Sequence, residues 1–319
     1  MNPGRLLLRV PHDVAFAVCA LALVLLLGCV FHSGGTFFKL ATHAQALWQV
    51  AAFGILACGM TIVILSAGID LSVGSVAALA GVVFAILVIR YEQGLWIALP
   101  LSALVGAACG AASGVCVAHL RLQPFIATLA MMAFARGLAK QVSSGRKIFE
   151  MPAPEAFEAL NGTAPLIGLE WRVVIFLACA AATWALLRRR RFGRYIYAIG
   201  DNEEAARLSG APVRATKVLA YALCGLMAGL AGVVIAAQER QGNPDAGVAY
   251  ELTAIAMVVV GGTSLMGGRG GITLTVLGVL TIGYLRKILD INGVPTAPQL
   301  MITGGIIVAA VLVQGLRPR

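Results

Sequence analysis

The chain has 319 residues, 60% of them hydrophobic and only 12% charged, with a formal net charge of +10 and a mean hydropathy of +0.90. Soluble globular domains carry roughly twice that share of charge, so the composition excludes an independent soluble domain and leaves room for about ten membrane spans with short loops. A basic chain can also bind nucleic acid, but these arginines are separated by apolar runs of lipid-crossing length, which excludes that class.

The first apolar run covers 14–32, behind Arg5 and Arg9. It is longer than a signal-peptide core and reads as an uncleaved first span, although Leu26-Leu27-Gly28-Cys29 resembles a lipoprotein cleavage box. The stretch 46–89 holds a single charge, Asp70. As one helix it would extend about 66 Å, about twice the hydrocarbon core of a bilayer. It must break, and the segment Ser66-Ala67-Gly68-Ile69-Asp70-Leu71-Ser72-Val73-Gly74-Ser75 is the predicted place. Irregular backbone and an ionisable group at membrane depth are costly unless they face protein or a wet cavity. Asp70 either caps the start of the third span or fixes a break between two half-buried helices lining a path, and the two roles are compatible. Ser66, Gly68, Asp70, Ser72, Gly74 and Ser75 are therefore candidate path or helix-break residues.

The predicted spans after 46–67 are 71–90, 95–118, 125–140, 166–187, 217–237, 251–266, 271–286 and 299–316. Gly106, Gly110 and Gly114 make a smooth stripe for close helix packing, as do Gly225 and Gly229. Arg136, near the end of the fifth span, is expected to snorkel to the outer surface. The segment 141–165, with Pro152, Pro154, Pro165 and Asn161-Gly162, reads as a loop or short re-entrant piece. Segments 238–250 and 287–298 read as further outer loops. Ten spans place both termini on one side. With that side cytoplasmic, it receives more than half of the 24 Lys and Arg, most densely over 188–217.

Within that basic stretch, Arg188 to Arg191 read as a topological anchor. The following residues are more unusual. Asp201 or Asn202 can cap a helix whose first turn holds Glu203 and Glu204, and Gly210 with Pro212 stops it. A two-turn amphipathic helix has no core of its own and is marginal in water. It is worth building if a partner's groove receives it. Asn202, Glu203, Glu204, Ala205, Ala206, Leu208, Ser209 and Gly210 are the candidate docking residues. Downstream, 261–271 reads Gly-Gly-Thr-Ser-Leu-Met-Gly-Gly-Arg-Gly-Gly, a tight turn or an unwound segment between spans. Gly261, Gly262, Thr263 and Ser264 join the candidate path residues. Glu251 stands at the entrance of the eighth span.

No Gly-Lys dipeptide occurs, so a Walker A loop is absent and any ATP must be handled by another chain. No catalytic signature and no metal-ligand spacing is present. The seven cysteines read as small buried hydrophobes.

Taken together, Gly59-Met60-Thr61-Ile62-Val63-Ile64-Leu65-Ser66 running into the Asp70 segment, Pro124-Phe125-Ile126-Ala127-Thr128-Leu129 with Arg136-Gly137, Gly200 with Asn202, the 204–210 segment, and Glu251-Leu252 leading to Gly261-Gly262-Thr263-Ser264 resemble the membrane-spanning permease subunit of ribose-type bacterial ABC sugar importers. The resemblance implies an all-α, type II-importer-like polytopic fold of about ten transmembrane helices, some broken or re-entrant. The whole of 1–319 is then one permease domain, with 188–216 as a cytoplasmic loop carrying the helix that docks on the ATPase. It implies an ABC ATPase subunit with tandem nucleotide-binding domains, a periplasmic sugar-binding protein and a second permease copy or paralogue as partners. ATP and magnesium would sit on the ATPase, with no cofactor in this chain. The expected location is the bacterial inner membrane, multi-pass, with both termini cytoplasmic. Related permeases for branched-chain amino acids or nucleosides are the alternative within the class, and an ion-coupled carrier is the alternative outside it. Thr253 departs from the pattern, which calls for an acid after Glu251-Leu252, and so does the short basic segment Ser144-Gly145-Arg146-Lys147.

Overall fold

The computed structural model describes residues 12–164 and 168–315. Arg5, Arg9 and Pro165 lie outside the described residues, as do the first residues of the span predicted from 166 and the last of the span predicted to 316. The helices in chain order are α1 (His12–Val30), α2 (Leu40–Leu65), α3 (Val73–Ala85), α4 (Leu95–Ala118), α5 (Pro124–Ser143), α6 (Glu155–Asn161), α7 (Trp171–Arg189), α8 (Arg191–Asp201), α9 (Glu203–Leu208), α10 (Val213–Glu239), α11 (Tyr250–Val260), α12 (Ile272–Ile291) and α13 (Thr296–Gly315). Each of the ten predicted apolar segments becomes a helix, so the chain is an all-α, multi-pass membrane protein. Seven are long and apolar enough to cross a bilayer: α2, α3 with the π-helical stretch Ile86–Arg90 that prolongs it, α4, α5, α7, α10 and α12. Cys19 and Cys29, expected to be buried, lie exposed on α1.

The eighth predicted span is the clear departure. It was expected over 251–266, but α11 has only 11 residues, about 16 Å of helix and half a bilayer. The other half is the segment 241–249, expected to be an outer loop. Instead it runs back along α3 into the protein. Gly242 approaches Val82 and Ala85, Ala246 lies buried, and Gly247 reaches Gly74 in the first turn of α3. Tyr250 then lies tilted against Phe53, in the middle of α2, with ring centroids 4.4 Å apart. The segment 141–165 is a loop containing α6. The α6 residue Phe157 is buried edge-on against Phe84, and Asn161 Nδ2 donates to the Ala237 carbonyl at 2.7 Å.

The centre of the bundle is α10, packed on α4, α3 and α2. The glycine stripes predicted from spacing meet there. A Cβ on Gly106 would lie 2.2 Å from the Gly225 carbonyl oxygen, and one on Gly110 would lie 2.1 Å from that of Tyr221. Glycine is required because the obstacle is backbone, which cannot rotate away. Gly110→Val is expected to destabilise the folded protein by about 3 kcal/mol, the upper range for overpacking. A lowered midpoint of thermal unfolding in detergent would register it, and an unchanged midpoint would refute the assigned contact. One end of the bundle gathers Ile62, Leu65, Leu187, Ile196 and Ala220. The opposite end gathers Phe84, Val88, Ala98, Phe157 and Leu160.

Candidate functional site

The break between α2 and α3 is built from the residues that signalled it. Ala67 takes a left-handed conformation (φ 59°), and Ser66, Ala67 and Gly68 return their N–H groups to the carbonyls of Val63 and Ile64, closing the end of α2. Gly68 has no room for a side chain, since a Cβ would lie 2.6 Å from Tyr221 Oη of α10. Asp70 is 1% exposed. Its Oδ1 accepts from the Ser72 N–H at 2.9 Å and from Ser72 Oγ at 2.6 Å. The carboxylate thus shapes the turn immediately ahead of α3 rather than capping its N3 position. Ser66 Oγ donates to the Val63 carbonyl at 2.8 Å, and Ser75 is buried in the first turn of α3.

The polar connection after α7 contains two helices. Only the second was anticipated from the residues. α8 turns its buried side, Gly193, Ile196, Ile199 and Gly200, to the bundle and keeps Arg191 and Arg194 exposed. Its period is legible in retrospect as Phe192, Ile196 and Ile199, but the arginines on either side masked it. Asn202, not Asp201, caps α9: its Oδ1 accepts from the Ala205 N–H at 2.9 Å. Ala206 alone in α9 is buried, against Ile199 and Val213. Glu203, Glu204, Ala205, Leu208, Ser209 and Gly210 are exposed, Leu208 at 74%. Lys217 Nζ holds Glu203 at 2.6 Å, and Arg207 donates to both carboxylate oxygens of Glu204. The hydrogen bonds from Arg207 hold the Glu204 carboxyl below its ordinary range. The pair is therefore intact at neutral pH and opens only as pH falls through that lowered value. Gly210 closes the helix with φ 81°.

The glycine-rich segment 261–271 is a tight turn between α11 and α12. Gly262, Gly267, Gly268 and Gly270 have positive φ of 107°, 87°, 69° and 127°. The Ser264 N–H donates to the Arg269 carbonyl at 3.0 Å, the Gly271 N–H donates to Thr263 Oγ1 at 3.3 Å, and Thr263 is buried. Gly261 lies against the Leu274 backbone and joins α11 to α12.

These three segments meet. The Gly268 N–H donates to the Leu65 carbonyl at 3.0 Å, filling an acceptor that the end of α2 leaves open. A Cβ on Gly200, at the end of α8, would lie 1.9 Å from that same carbonyl oxygen and 2.5 Å from the Gly268 nitrogen. Tyr197 Oη donates to the Gly270 carbonyl at 3.0 Å. One turn before α9 begins, the chain is thus in backbone contact with both the α2–α3 break and the 261–271 turn. Sequence reasoning singled out the segments and missed that they touch.

Two predicted positions need correction. Arg136 does not snorkel outward. Its Nη1 donates to the carbonyls of Pro244 at 2.5 Å and Ala246 at 2.7 Å, within the inward-running segment. Glu251, expected at the entrance of a full span, instead opens the half-length α11 with its carboxylate over Gly74, 2.7 Å from where a Cβ would stand. Thr253, where an acid was expected, accepts from Arg286 Nη2 at 3.0 Å, and the Arg286 guanidinium lies 5.0 Å from the centre of the Phe53 ring.

Comparison with known proteins gives a consistent picture. Residues 43–311 match the model of a family described as branched-chain amino acid transport system / permease component. The chain is 42% identical over 294 residues to the ribose import permease protein of Escherichia coli (strain K12), covering 92% of this chain and 91% of that one. It is 38% identical over 263 residues to the L-arabinose transport system permease protein of the same organism, covering 82% and 79%. It is 37% identical over 290 residues to the D-allose transport system permease protein, also of that organism, covering 90% and 88%. No solved structure matches the chain.

Proposed function

The chain belongs to the branched-chain amino acid transport system / permease component family, and on that premise we propose that it is the membrane-spanning permease subunit of an ATP-binding cassette importer passing a monosaccharide. Although the family description names amino acids, relatives that match most of the chain are named for ribose, arabinose and allose, which favours a simple sugar.

The observation that carries the mechanism is the backbone contact of Gly200 with Leu65 and Gly268. α9 offers an exposed, capped, six-residue surface to a partner. A displacement of α9 passes through α8 to the α2–α3 break without flexible side chains in between. In this reading the ATPase, with tandem nucleotide-binding domains, receives α9 in a groove and holds ATP and magnesium itself. This chain needs no cofactor of its own. A periplasmic sugar-binding protein delivers substrate on the opposite side, and a second permease copy or paralogue completes the channel. The α9 side is cytoplasmic because the basic residues concentrate over 188–217. With the apolar helices and the bacterial relatives, this supports a bacterial inner-membrane protein whose termini both lie on the cytoplasmic side. The single domain spans 1–319, with 188–216 as the coupling loop. Ser66, Gly68, Asp70, Ser72, Gly74, Ser75, Gly261, Gly262, Thr263 and Ser264 form the moving break and turn beside the path.

Proteoliposomes holding the chain with its ATPase and binding protein are expected to accumulate a labelled pentose or hexose only with ATP. Uptake of leucine instead would favour the amino-acid reading, and uphill accumulation by the chain alone would favour an ion-coupled carrier. Glu204→Trp and Gly210→Val are expected to leave membrane insertion intact while separating ATP hydrolysis from uptake. Gly210 bears the larger effect, since its left-handed backbone costs any L-residue about 1 kcal/mol before contacts with the partner are counted. Equal uptake per ATP in these variants and the parent would remove α9 from the docking role.

A further inference from the structure

Backbone that leaves a helix at membrane depth needs a partner for each N–H and C=O. In the 241–249 segment these partners can be traced. Gly242 exchanges both of its backbone groups with Ile148, at 2.7 and 2.8 Å. Asn243 turns the chain, its carbonyl accepting from the Ala246 N–H at 3.1 Å and its Oδ1 from the Asp245 N–H at 3.0 Å. The carbonyls of Pro244 and Ala246 both turn to the Arg136 guanidinium. Lys140 adds an ion pair to Asp245 at 2.8 Å. All of these outside tethers come from α5 and the loop that follows it.

The other side of the segment meets α3 by close backbone approach, Gly242 against Val82 and Ala85 and Gly247 against Gly74. At the first turn of α3 the contact is backbone on backbone, since a Cβ on Gly74 would lie 2.2 Å from the Gly247 carbonyl oxygen. Left-handed residues flank the piece, with φ of 51° at Arg240, 71° at Gly247 and 63° at Ala249. Between the last two, Val248 is 67% exposed.

We propose that Arg136 is a positioning residue for transport: its guanidinium seats the 241–249 segment on the first turn of α3, and the release of that clamp as α5 shifts opens the path at mid-membrane. Both bonds leave from Nη1, whose two N–H groups are fixed in direction by the guanidinium plane, whereas the lysine ammonium has donors enough but carries them on a freely rotating stem. The inference rests on the transport reading above.

The test uses the assembled transporter in proteoliposomes, carrying Val248→Cys in a Cys19→Ser, Cys29→Ser background, labelled with a membrane-impermeant maleimide with and without vanadate-trapped nucleotide. Labelling is expected to differ at least about fivefold between the two states, the lower end of typical coupling between sites. Adding Arg136→Gln should hold labelling at the faster rate in both states and lower uptake about tenfold while ATP hydrolysis continues, with Arg136→Lys intermediate. Equal labelling in the two states without the Arg136 change would overturn the proposal. So would Arg136→Gln labelling that still follows the nucleotide, even where uptake, hydrolysis and thermal stability all fall together, because that result marks a merely structural arginine. An unaltered complex that moves no sugar yet keeps state-dependent labelling would sink the sugar reading and leave the clamp standing.

Discussion

Gly200→Val should abolish uptake while leaving the amount of protein in the membrane unchanged. The position ends α8, where a Cβ would lie 1.9 Å from the Leu65 carbonyl oxygen and 2.5 Å from the Gly268 nitrogen. Those two atoms are bonded to each other at 3.0 Å, so the added carbon would wedge directly into a hydrogen bond. Neither atom belongs to a side chain that can swing away. The three elements must separate by more than an ångström, and overpacking of this kind costs about 3 kcal/mol, equivalent to roughly a hundredfold loss in a coupled step. Gly200→Ala carries the same first carbon and should lose most of the same activity. Ala198→Val, two residues earlier and on the exposed side of the same helix, should cost nothing measurable. Normal sugar uptake by Gly200→Ala would mean that α8 does not press on the break.

For Asp70, the expected result depends on which atom is kept. Asp70→Ala leaves the Ser72 N–H and hydroxyl without their acceptor in a site closed to water. Stranding buried donors costs about 1–3 kcal/mol. Uptake should fall at least about tenfold as the start of α3 loosens. Asp70→Asn keeps an oxygen in the Oδ1 position and should retain most of the activity. If the asparagine variant were as inactive as the alanine variant, the negative charge rather than the turn geometry would be the operative property.

The residues explain which features could be read before the fold was known. The seven helices long enough to cross a bilayer were legible because each must satisfy its own backbone in lipid, which forces length and composition into the local sequence. The α2–α3 break was legible for the same reason. Asp70 finds its partner two residues away, so both halves of the arrangement sit in one short string. The 241–249 segment was not legible. Gly242, Pro244 and Gly247 spell a surface loop, and the donor that lets them descend into the protein is Arg136, more than a hundred positions earlier. Read alone, that arginine has every feature of an interfacial side chain. The meeting of Leu65, Gly200 and Gly268 was hidden for a related reason. A glycine announces that something comes close, but not what.

The glycine seam between α4 and α10 restricts how the molecule can move. Each carbonyl there nests in the notch left by a missing side chain, Gly106 under Gly225 and Gly110 under Tyr221. Sliding one helix past the other by a single residue, about 1.5 Å, would bring oxygen onto carbon. The pair is therefore keyed like two racks and must travel as one spar. Whatever alternation the protein undergoes is displaced onto the helices that surround this pair.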